Sequence, residues 1–263
     1  MQKDIKQVIC MKWGSLYGSE YVNRLYAMVR QQTSGPLRFV CLTDDSSEVC
    51  SDVECYPCPE IDIPAPYSCL GWRKLRLFAS SEDLFDFQGT WLYLDLDVVI
   101  TGSLDDFFIF RPELTYMVMQ NWTQKNMIVG NTSVYRFTVG SHVYLLTNLL
   151  NNHKQILNNY NNSQTYISRT IKDLNFWPDE WCILFKVQCV PAWPVRFFKT
   201  PILPKTARVV AFPGVPNPHQ ALVGHWPVKR FYKRVYKFIR PTPWIKTIWD
   251  QANVHLLSLK NTL

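Results

Sequence analysis

Two aspartates stand two residues apart within the most apolar run of the chain. Residues 91–100 read Trp-Leu-Tyr-Leu-Asp-Leu-Asp-Val-Val-Ile, so Asp95 and Asp97 interrupt a segment that otherwise has the composition of a buried β-strand. Side chains alternate between the faces of a strand, and we expect both acids to point the same way, with Cα atoms roughly 7 Å apart. Two neighbouring carboxylates repel each other and are costly to bury without a partner.

A divalent cation would relieve both problems of this acidic pair. Carboxylate oxygens suit hard ions such as Mg²⁺ or Mn²⁺, and these ions commonly complete their coordination with substrate phosphates. The alternative is a pair of strand-end acids that are exposed to water or cap the next turn. The first interpretation predicts a phosphate-bearing ligand beside this strand.

The elements that must position the pair follow from hydrophobic periodicity. Apolar runs at residues 8–11, 38–43 and 53–56 predict strands, and helical spacing over 20–30 predicts a helix after the first of them. This order is typical of a βαβ unit with a parallel sheet. Further along we predict helices at 71–78 and 141–152, strands at 116–120, 133–137 and 208–212, and an exposed asparagine-rich run at 151–164.

Length and composition indicate one globular domain. The chain has 263 residues, of which 47% are hydrophobic and 14% aromatic, enough to bury a substantial core. We predict a three-layer α/β domain over residues 1–228, with a mainly parallel central sheet, helices on both faces and a ligand site at the carboxyl ends of the strands. Residues 229–263 are expected to form a basic, aromatic helical extension.

The cysteines and the first residues of the chain indicate the cellular compartment that we expect. Cys55 and Cys58 form one CxxC pair, whereas a zinc ribbon normally has two such pairs, so the alternatives are a metal or redox role and small buried hydrophobes. The first residues lack the basic start and apolar core of a signal peptide. We therefore expect a cytoplasmic protein with reduced thiols.

The excess of positive charge is concentrated late in the chain. The formal net charge is +7, and residues 229–240 read Lys-Arg-Phe-Tyr-Lys-Arg-Val-Tyr-Lys-Phe-Ile-Arg. Such a stretch suits an anionic surface, the alternative being a solvated helix face that packs its aromatic residues on the domain. We expect a peripheral membrane contact through residues 229–249 rather than nucleic-acid binding, because no nucleic-acid-binding motif accompanies the charge.

Several short segments together resemble one enzyme family. The segment at 93–107, Tyr-Leu-Asp-Leu-Asp-Val-Val-Ile-Thr-Gly-Ser-Leu-Asp-Asp-Phe, resembles the DxD segment of glycosyltransferases with the GT-A fold, especially the bacterial family 8-like enzymes. Segments at 10–14, 21–26, 40–45, 71–75 and 177–181 are similar to the same group and occur in the expected order. The resemblance covers about residues 5 to 227.

The resemblance implies a metal-dependent transferase that moves a hexose from a nucleotide diphosphate, UDP being expected, to a hydroxyl of a glycan or lipid-linked acceptor. It implies Asp97 as the firmer metal ligand and Asp95 as a contact to metal or ribose. It also implies retention at the anomeric carbon, with the leaving phosphate deprotonating the acceptor. The residues implied at the nucleotide-sugar donor are Met11, Lys12, Trp13, Tyr17, Thr43, Asp44, Lys74, Asp95 and, at its sugar, Asn131.

Two positions depart from the family pattern. The family commonly has a Gly-Asp-Gln segment at the transferred sugar, where this chain keeps Gln164 but has Ser163 in place of the acid. Gln164 and Asp179 are therefore the candidate catalytic residues, with Glu180 a further candidate for an acidic contact.

The family also supplies a late metal-binding histidine, which Ala-Phe-Pro-Gly at 211–214 lacks. His219 is the candidate third metal ligand, and His225 is an alternative. These departures support a second hypothesis, a non-catalytic nucleotide-sugar-binding protein that kept the fold.

Overall fold

A computed structural model describes residues 5–124 and 127–260 of the chain. The strands are β1 (Lys6–Lys12), β2 (Leu37–Thr43), β3 (Glu54–Pro57), β4 (Thr90–Leu94), β5 (Val98–Ile100), β6 (Tyr116–Gln120), β7 (Gly130–Thr138), β8 (Cys182–Leu184) and β9 (Val209–Ala211). The α-helices are α1 (Ser19–Gln31), α2 (Asp105–Ile109), α3 (Val143–Asn159), α4 (Ser163–Thr170), α5 (Pro218–Leu222) and α6 (Trp244–Lys260). A 3₁₀ helix at Gly71–Phe78 lies between β3 and β4.

The central sheet is mainly parallel, as predicted. Its six strands lie in the order β3-β2-β1-β4-β7-β6. The pairs β3/β2, β2/β1 and β1/β4 are parallel, and β7 runs antiparallel to both β4 and β6. A second sheet of three short strands, β5-β9-β8, lies beside it.

Each face of the central sheet carries a hydrophobic core, which confirms the three-layer arrangement. Along β1 the side chains alternate, with Val8 and Cys10 in one core and Ile9 and Met11 in the other. The first core lies under α1, α6 and the small sheet, and the second lies under the Gly71–Phe78 helix, α3 and α4. Near-continuous apolar strands such as β1 and β4 are expected when both faces are covered.

The helix predicted at 71–78 is present as a 3₁₀ helix, with Leu75 and Phe78 buried. Two other expectations about local structure were wrong. Residues 91–100 form two strands, because the chain leaves the central sheet after Leu94 and enters the small sheet at Val98. Helix α3 continues beyond residue 152, with a kink at Asn152, and buries Ile156, so the asparagine-rich run is only partly exposed.

The end of the described chain is packed on the domain. Helix α6 lies against α1, where the Arg24 guanidinium stands 4.6 Å from the centre of the Trp249 ring. Ile239, Ile245 and Ala252 are almost completely buried in the same core as α1. Residues 239–252 therefore contribute to the layer that covers one face of the sheet.

Within the described ranges, no helix combines the length and the apolar character that crossing a bilayer requires.

Candidate functional site

A cavity of about 740 Å³ opens at the carboxyl ends of β1 and β4. The chain runs outward from β1 through β2 to β3, and then returns to place β4 on the other side of β1. Ligands bind in open α/β sheets at such a reversal of strand order, because the loops that follow the two strands diverge there. The volume lies in the range of pockets that hold nucleotide-sized ligands.

Asp95 and Asp97 both line this cavity. Asp95 follows β4 directly and its N–H still donates to the Ser133 carbonyl at 2.9 Å, whereas Asp97 is the last residue before β5. The acids therefore lie in the turn that joins the two sheets, and not within a strand as predicted. Their shared access to one cavity nevertheless agrees with the expectation that they point the same way.

The two carboxylates have different partners. Asp95 Oδ1 pairs with Lys74 Nζ at 2.5 Å and accepts a hydrogen bond from the Tyr93 hydroxyl at 2.7 Å. Asp97 is only 8% exposed, and its Oδ2 accepts a hydrogen bond from the Tyr17 hydroxyl at 3.1 Å. Asp95 thus has a cationic partner, while the more deeply buried Asp97 has a neutral one.

Burial, and after it the charge of Asp95, raises the pKa of Asp97 to about 7. Lys74 and the Tyr17 hydroxyl act in the opposite direction but do not compensate. An ionised Asp97 therefore lacks enough positive charge around it at neutral pH. A cation bound beside both carboxylates would supply that charge, so the donor set fits a hard divalent ion.

The Tyr17 hydroxyl lies between Asp97 and Asn217. Burial, and then the charge of Asp97, raises the pKa of Tyr17 well above its usual value, so the phenol stays protonated and can donate. The same hydroxyl lies 3.4 Å from the Asn217 side-chain oxygen. The Tyr17 ring packs on Tyr21 with centroids 4.7 Å apart, which fixes its position. Asn217 was not predicted from the sequence, because nothing local distinguishes it from an ordinary turn residue.

Most of the predicted nucleotide contacts come together at the cavity. The predicted contacts that line it are Met11, Lys12, Trp13, Tyr17, Asp44, Lys74 and Asp95. Gly14, in the loop after β1, has a positive φ of +63°, a backbone conformation that glycine adopts readily. Its N–H donates to Asp44 Oδ2 at 2.7 Å. Thr43 and Asn131 do not line the cavity: Thr43 Oγ1 bonds the Asp45 backbone, and Asn131 Oδ1 accepts from the Ser133 N–H.

Other residues that line the cavity were not predicted from the sequence. They are Ser15, Leu16, Cys69, Leu70, Gly71, Arg73, Leu96 and Gly214. The Arg73 guanidinium is held by the carbonyls of Pro59 and Cys58 at 3.0 and 3.1 Å, and Trp13 Nε1 donates to the Cys69 carbonyl. The basic residues at 73 and 74 were the available signal, since cations at a helix start indicate an anionic ligand.

The residues predicted to be catalytic do not line the cavity. Gln164 lies in the first turn of α4, directly after Ser163, whose hydroxyl donates at 3.1 Å to the carbonyl of the cavity residue Gly71. Gln164 is therefore near the cavity wall but not part of it. Asp179 and Glu180 are exposed in a turn outside the cavity.

The predicted histidine ligands do not join the aspartates. His219 is exposed and its Nδ1 contacts the Tyr21 hydroxyl, and His225 is exposed as well. In the part of the chain that the structure covers, no three His, Cys, Asp or Glu side chains are grouped to hold a metal ion. Cys55 and Cys58 belong to no such group: Cys58 is buried, Cys55 is exposed, and no disulfide joins any of the eight cysteines, all of which lie in the described ranges.

Solved structures share this fold at low sequence identity. The glycosyltransferase GlyE of Streptococcus pneumoniae TIGR4 aligns over 94% of this chain and 60% of its own, with TM-score 0.57 and 13% identity. An active-site mutant of LgtC aligns over 87% of this chain and 99% of its own, with TM-score 0.52 and 12% identity. LgtC in complex with donor and acceptor sugar analogues, which is described as a galactosyltransferase, has TM-score 0.50 and 12% identity, with coverage of 81% of this chain and 88% of its own.

This chain thus spans less than two thirds of the GlyE structure. No protein-family model and no curated protein sequence matches it. The sheet order, the two cores and these structural matches together identify the chain as having the GT-A glycosyltransferase fold.

Proposed function

We propose that this protein is a metal-dependent glycosyltransferase that moves a hexose from a nucleotide diphosphate sugar, with UDP as the expected nucleotide, to a hydroxyl acceptor. The observation that carries the proposal is the buried carboxylate of Asp97 beside Asp95 on the wall of the cavity. A metal-dependent nucleotide-sugar transferase needs a site for a cation and a diphosphate together. The fold adds support, because ligands bind outside the carboxyl ends of the strands in open α/β sheets, and this cavity opens at the carboxyl ends of β1 and β4.

Asp97 and Asp95 would hold Mn²⁺ or Mg²⁺ together with oxygens of the donor diphosphate. When bound there, the ion supplies Lewis-acid stabilisation of the charge that develops on the leaving diphosphate. Lys74 and Lys12 line the same cavity and add positive charge for the phosphates. Tyr17 orients the Asp97 carboxylate through its hydroxyl, and Met11 and Trp13 offer an apolar wall for the nucleotide.

Transfer with retention is the stereochemistry that we propose. The bond between the anomeric carbon and the phosphate oxygen breaks, and a bond to the acceptor oxygen forms on the same face of the sugar. The acceptor proton passes to the departing phosphate oxygen, so no protein base is required. This route is consistent with a cavity whose lining acids are Asp44, Asp95 and Asp97, the last two of which would be occupied by the cation. Proton NMR of the product anomer tests the stereochemistry.

Calorimetric titration tests the donor site. UDP, GDP, CMP and UDP-sugars are each titrated into the protein, first in the presence of Mn²⁺ and then in the presence of EDTA. The proteins compared are the unaltered chain, Asp97→Ala and a control, Asp173→Ala. Asp173 is exposed and lies outside the cavity. We expect one nucleotide to bind only with metal, and this binding to be lost in Asp97→Ala and kept in the control. Binding that persists in both Asp97→Ala and EDTA would sink the metal-dependent mechanism.

A second candidate is a non-catalytic nucleotide-sugar-binding protein. It is supported by Ser163 in place of an acid, and by the lack of a third His, Cys, Asp or Glu beside Asp95 and Asp97 among the described residues. Donor binding with neither hydrolysis nor transfer across a wide panel of hydroxyl acceptors would favour this candidate. Release of nucleotide diphosphate in the presence of one acceptor favours the transferase.

A further inference from the structure

The charge of the chain is divided sharply between two regions. Residues 181–249 contain 12 of the 28 lysines and arginines and none of the 21 aspartates and glutamates. The remaining residues therefore hold 16 bases and 21 acids and are net acidic. A basic region of this length on an otherwise acidic protein produces a one-sided electrostatic field that attracts anionic surfaces.

Two separate parts of this region form one continuous face, which we call the basic face: residues 193–199 and residues 229–240. Trp193 Nε1 donates to the Val235 carbonyl at 3.4 Å, and Arg196 donates to the Tyr236 carbonyl at 2.9 Å. In the other direction, Arg240 donates to the Phe197 carbonyl at 3.1 Å. The rings of Phe197 and Phe238 stack with centroids 4.9 Å apart. The two segments are thus held together by hydrogen bonds to backbone carbonyls and by a stacked, half-buried ring pair.

The basic face exposes large apolar side chains beside its charges. Phe231 and Phe198 are 84% and 81% exposed, and Trp193 is 57% exposed. Its eight lysines and arginines have no acidic residue within either segment. Charged residues alone would suit any polyanion, but exposed aromatic side chains among them favour a partner with an apolar interior beneath an anionic surface.

Residues 241–249 do not belong to this face, although the sequence suggested that they would. Ile245 is completely buried and Trp249 is 9% exposed, both in the core beneath α6. Trp244 is turned toward the domain, where its Nε1 donates to the Pro201 carbonyl at 3.2 Å. The apolar residues available to a partner are therefore those of the 193–199 and 229–240 segments.

Lys186, another lysine of the basic region 181–249, lies beside the candidate donor cavity. Lys186 Nζ donates to the carbonyls of Pro213 and Val215, which flank the cavity residue Gly214. Burial, and after it the charge of Lys237, lowers the pKa of Lys186.

We propose that the basic face binds the surface of an anionic lipid bilayer. The lysines and arginines contact the lipid headgroups, and Phe198 and Phe231 insert their rings among the acyl chains. Vesicle binding needs neither donor nor acceptor, so the binding part of this proposal is independent of the proposed transferase activity.

Vesicle flotation with the full-length protein tests the proposal. Phosphatidylcholine vesicles are compared with vesicles that also contain phosphatidylglycerol. Point variants are preferred to truncation after residue 228, because truncation would remove buried Ile239, Ile245 and Ala252 from the core. The charge variant is Lys229→Gln/Arg230→Gln/Arg234→Gln, and the matched control is Lys154→Gln/Arg169→Gln/Lys172→Gln. All six side chains are exposed, and each triple variant changes the net charge by the same amount.

We expect binding to the anionic vesicles only, weakened by added salt. The charge variant should bind on the order of a hundredfold more weakly, since each basic residue near an anionic bilayer contributes about 1 kcal/mol. Phe198→Ser/Phe231→Ser should weaken binding at least about tenfold, because the rings lose their apolar environment. The control triple should bind like the unaltered protein.

Two results would overturn the proposal. One is equal flotation of the charge variant and its matched control, which would mean that the basic face is not the contact. The other is retention on a mixed-sequence oligonucleotide with no binding to anionic vesicles, which would assign the face to nucleic acid. Circular dichroism of each variant verifies that the loss of binding is not a loss of folding.

Discussion

Replacing Arg136 should destabilise the fold without touching the donor cavity. Arg136 lies in β7 with 1% of its surface exposed, and no carboxylate pairs with it in the described ion pairs. Its guanidinium donates to four carbonyls at the end of α2 and in the turn that follows. These are the carbonyls of Phe107, Phe110, Arg111 and Leu114, at 2.8, 2.9, 2.6 and 3.4 Å.

The expected loss of stability follows from the carbonyls that lose their donor in Arg136→Met. The buried charge and its desolvation cost disappear, but the carbonyl of Phe107 loses its donor in a fully buried position. The other carbonyls are partly buried and can recruit water in part. An unsatisfied buried polar group costs about 1–3 kcal/mol, so we expect a net loss of about 3 kcal/mol. In a chain of this size that corresponds to a fall in Tm of roughly 6–12 °C.

Urea unfolding and thermal melts followed by circular dichroism measure the loss. Arg136→Lys keeps the charge, but its ammonium group cannot reach four carbonyls as the planar guanidinium does. The stability of Arg136→Lys should therefore lie between that of Arg136→Met and that of the unaltered protein. Arg169→Met, at an exposed position of α4, is the control and should change stability by no more than about 0.5 kcal/mol. A loss below about 1 kcal/mol for Arg136→Met would refute the reasoning that these carbonyls depend on the guanidinium.

Tyr17→Phe keeps the ring on Tyr21 but removes the hydrogen bond to Asp97, so metal-dependent nucleotide affinity should fall about ten- to a hundredfold in calorimetry. Tyr160→Phe, outside the cavity, should bind normally, and equal affinities for the two variants would contradict the role given to Tyr17. Burial lowers the pKa of His142, whose nitrogens lie 3.1 Å from the Thr115 and Tyr144 hydroxyls, so folding favours its neutral form. Its stabilising contribution is present above the unfolded pKa of about 6.5 and is lost as the pH falls through the lower folded-state pKa. The free energy of unfolding should therefore fall less steeply from about pH 7.5 to about pH 5.5 in His142→Gln than in the unaltered protein; identical slopes in urea titrations would be evidence against this.

The sequence alone determined the kind of fold and singled out the acidic pair. Apolar runs on either side of a helical pattern predicted the parallel strands β1 and β2, because strands buried on both faces must be nearly continuous in apolar residues. The same logic marked Asp95 and Asp97 as unusual, since acids within an apolar segment need a partner. Local pattern was sufficient for these features because each depends only on residues close in the chain.

Tertiary structure decided how remote segments meet. The run at 91–100 divides between two sheets because β5 finds its partner in β9, more than a hundred residues away in the chain. Pairing of Lys74 with Asp95, contact of Tyr17 with Asp97, and the separation of His219 from both acids likewise depend on how loops after different strands pack. The basic face, too, arises only when residues 193–199 dock on 229–240. Periodicity in the sequence predicts the structure of one helix or strand at a time. These contacts depend instead on how several helices, strands and loops are placed relative to one another, which only the packed core specifies.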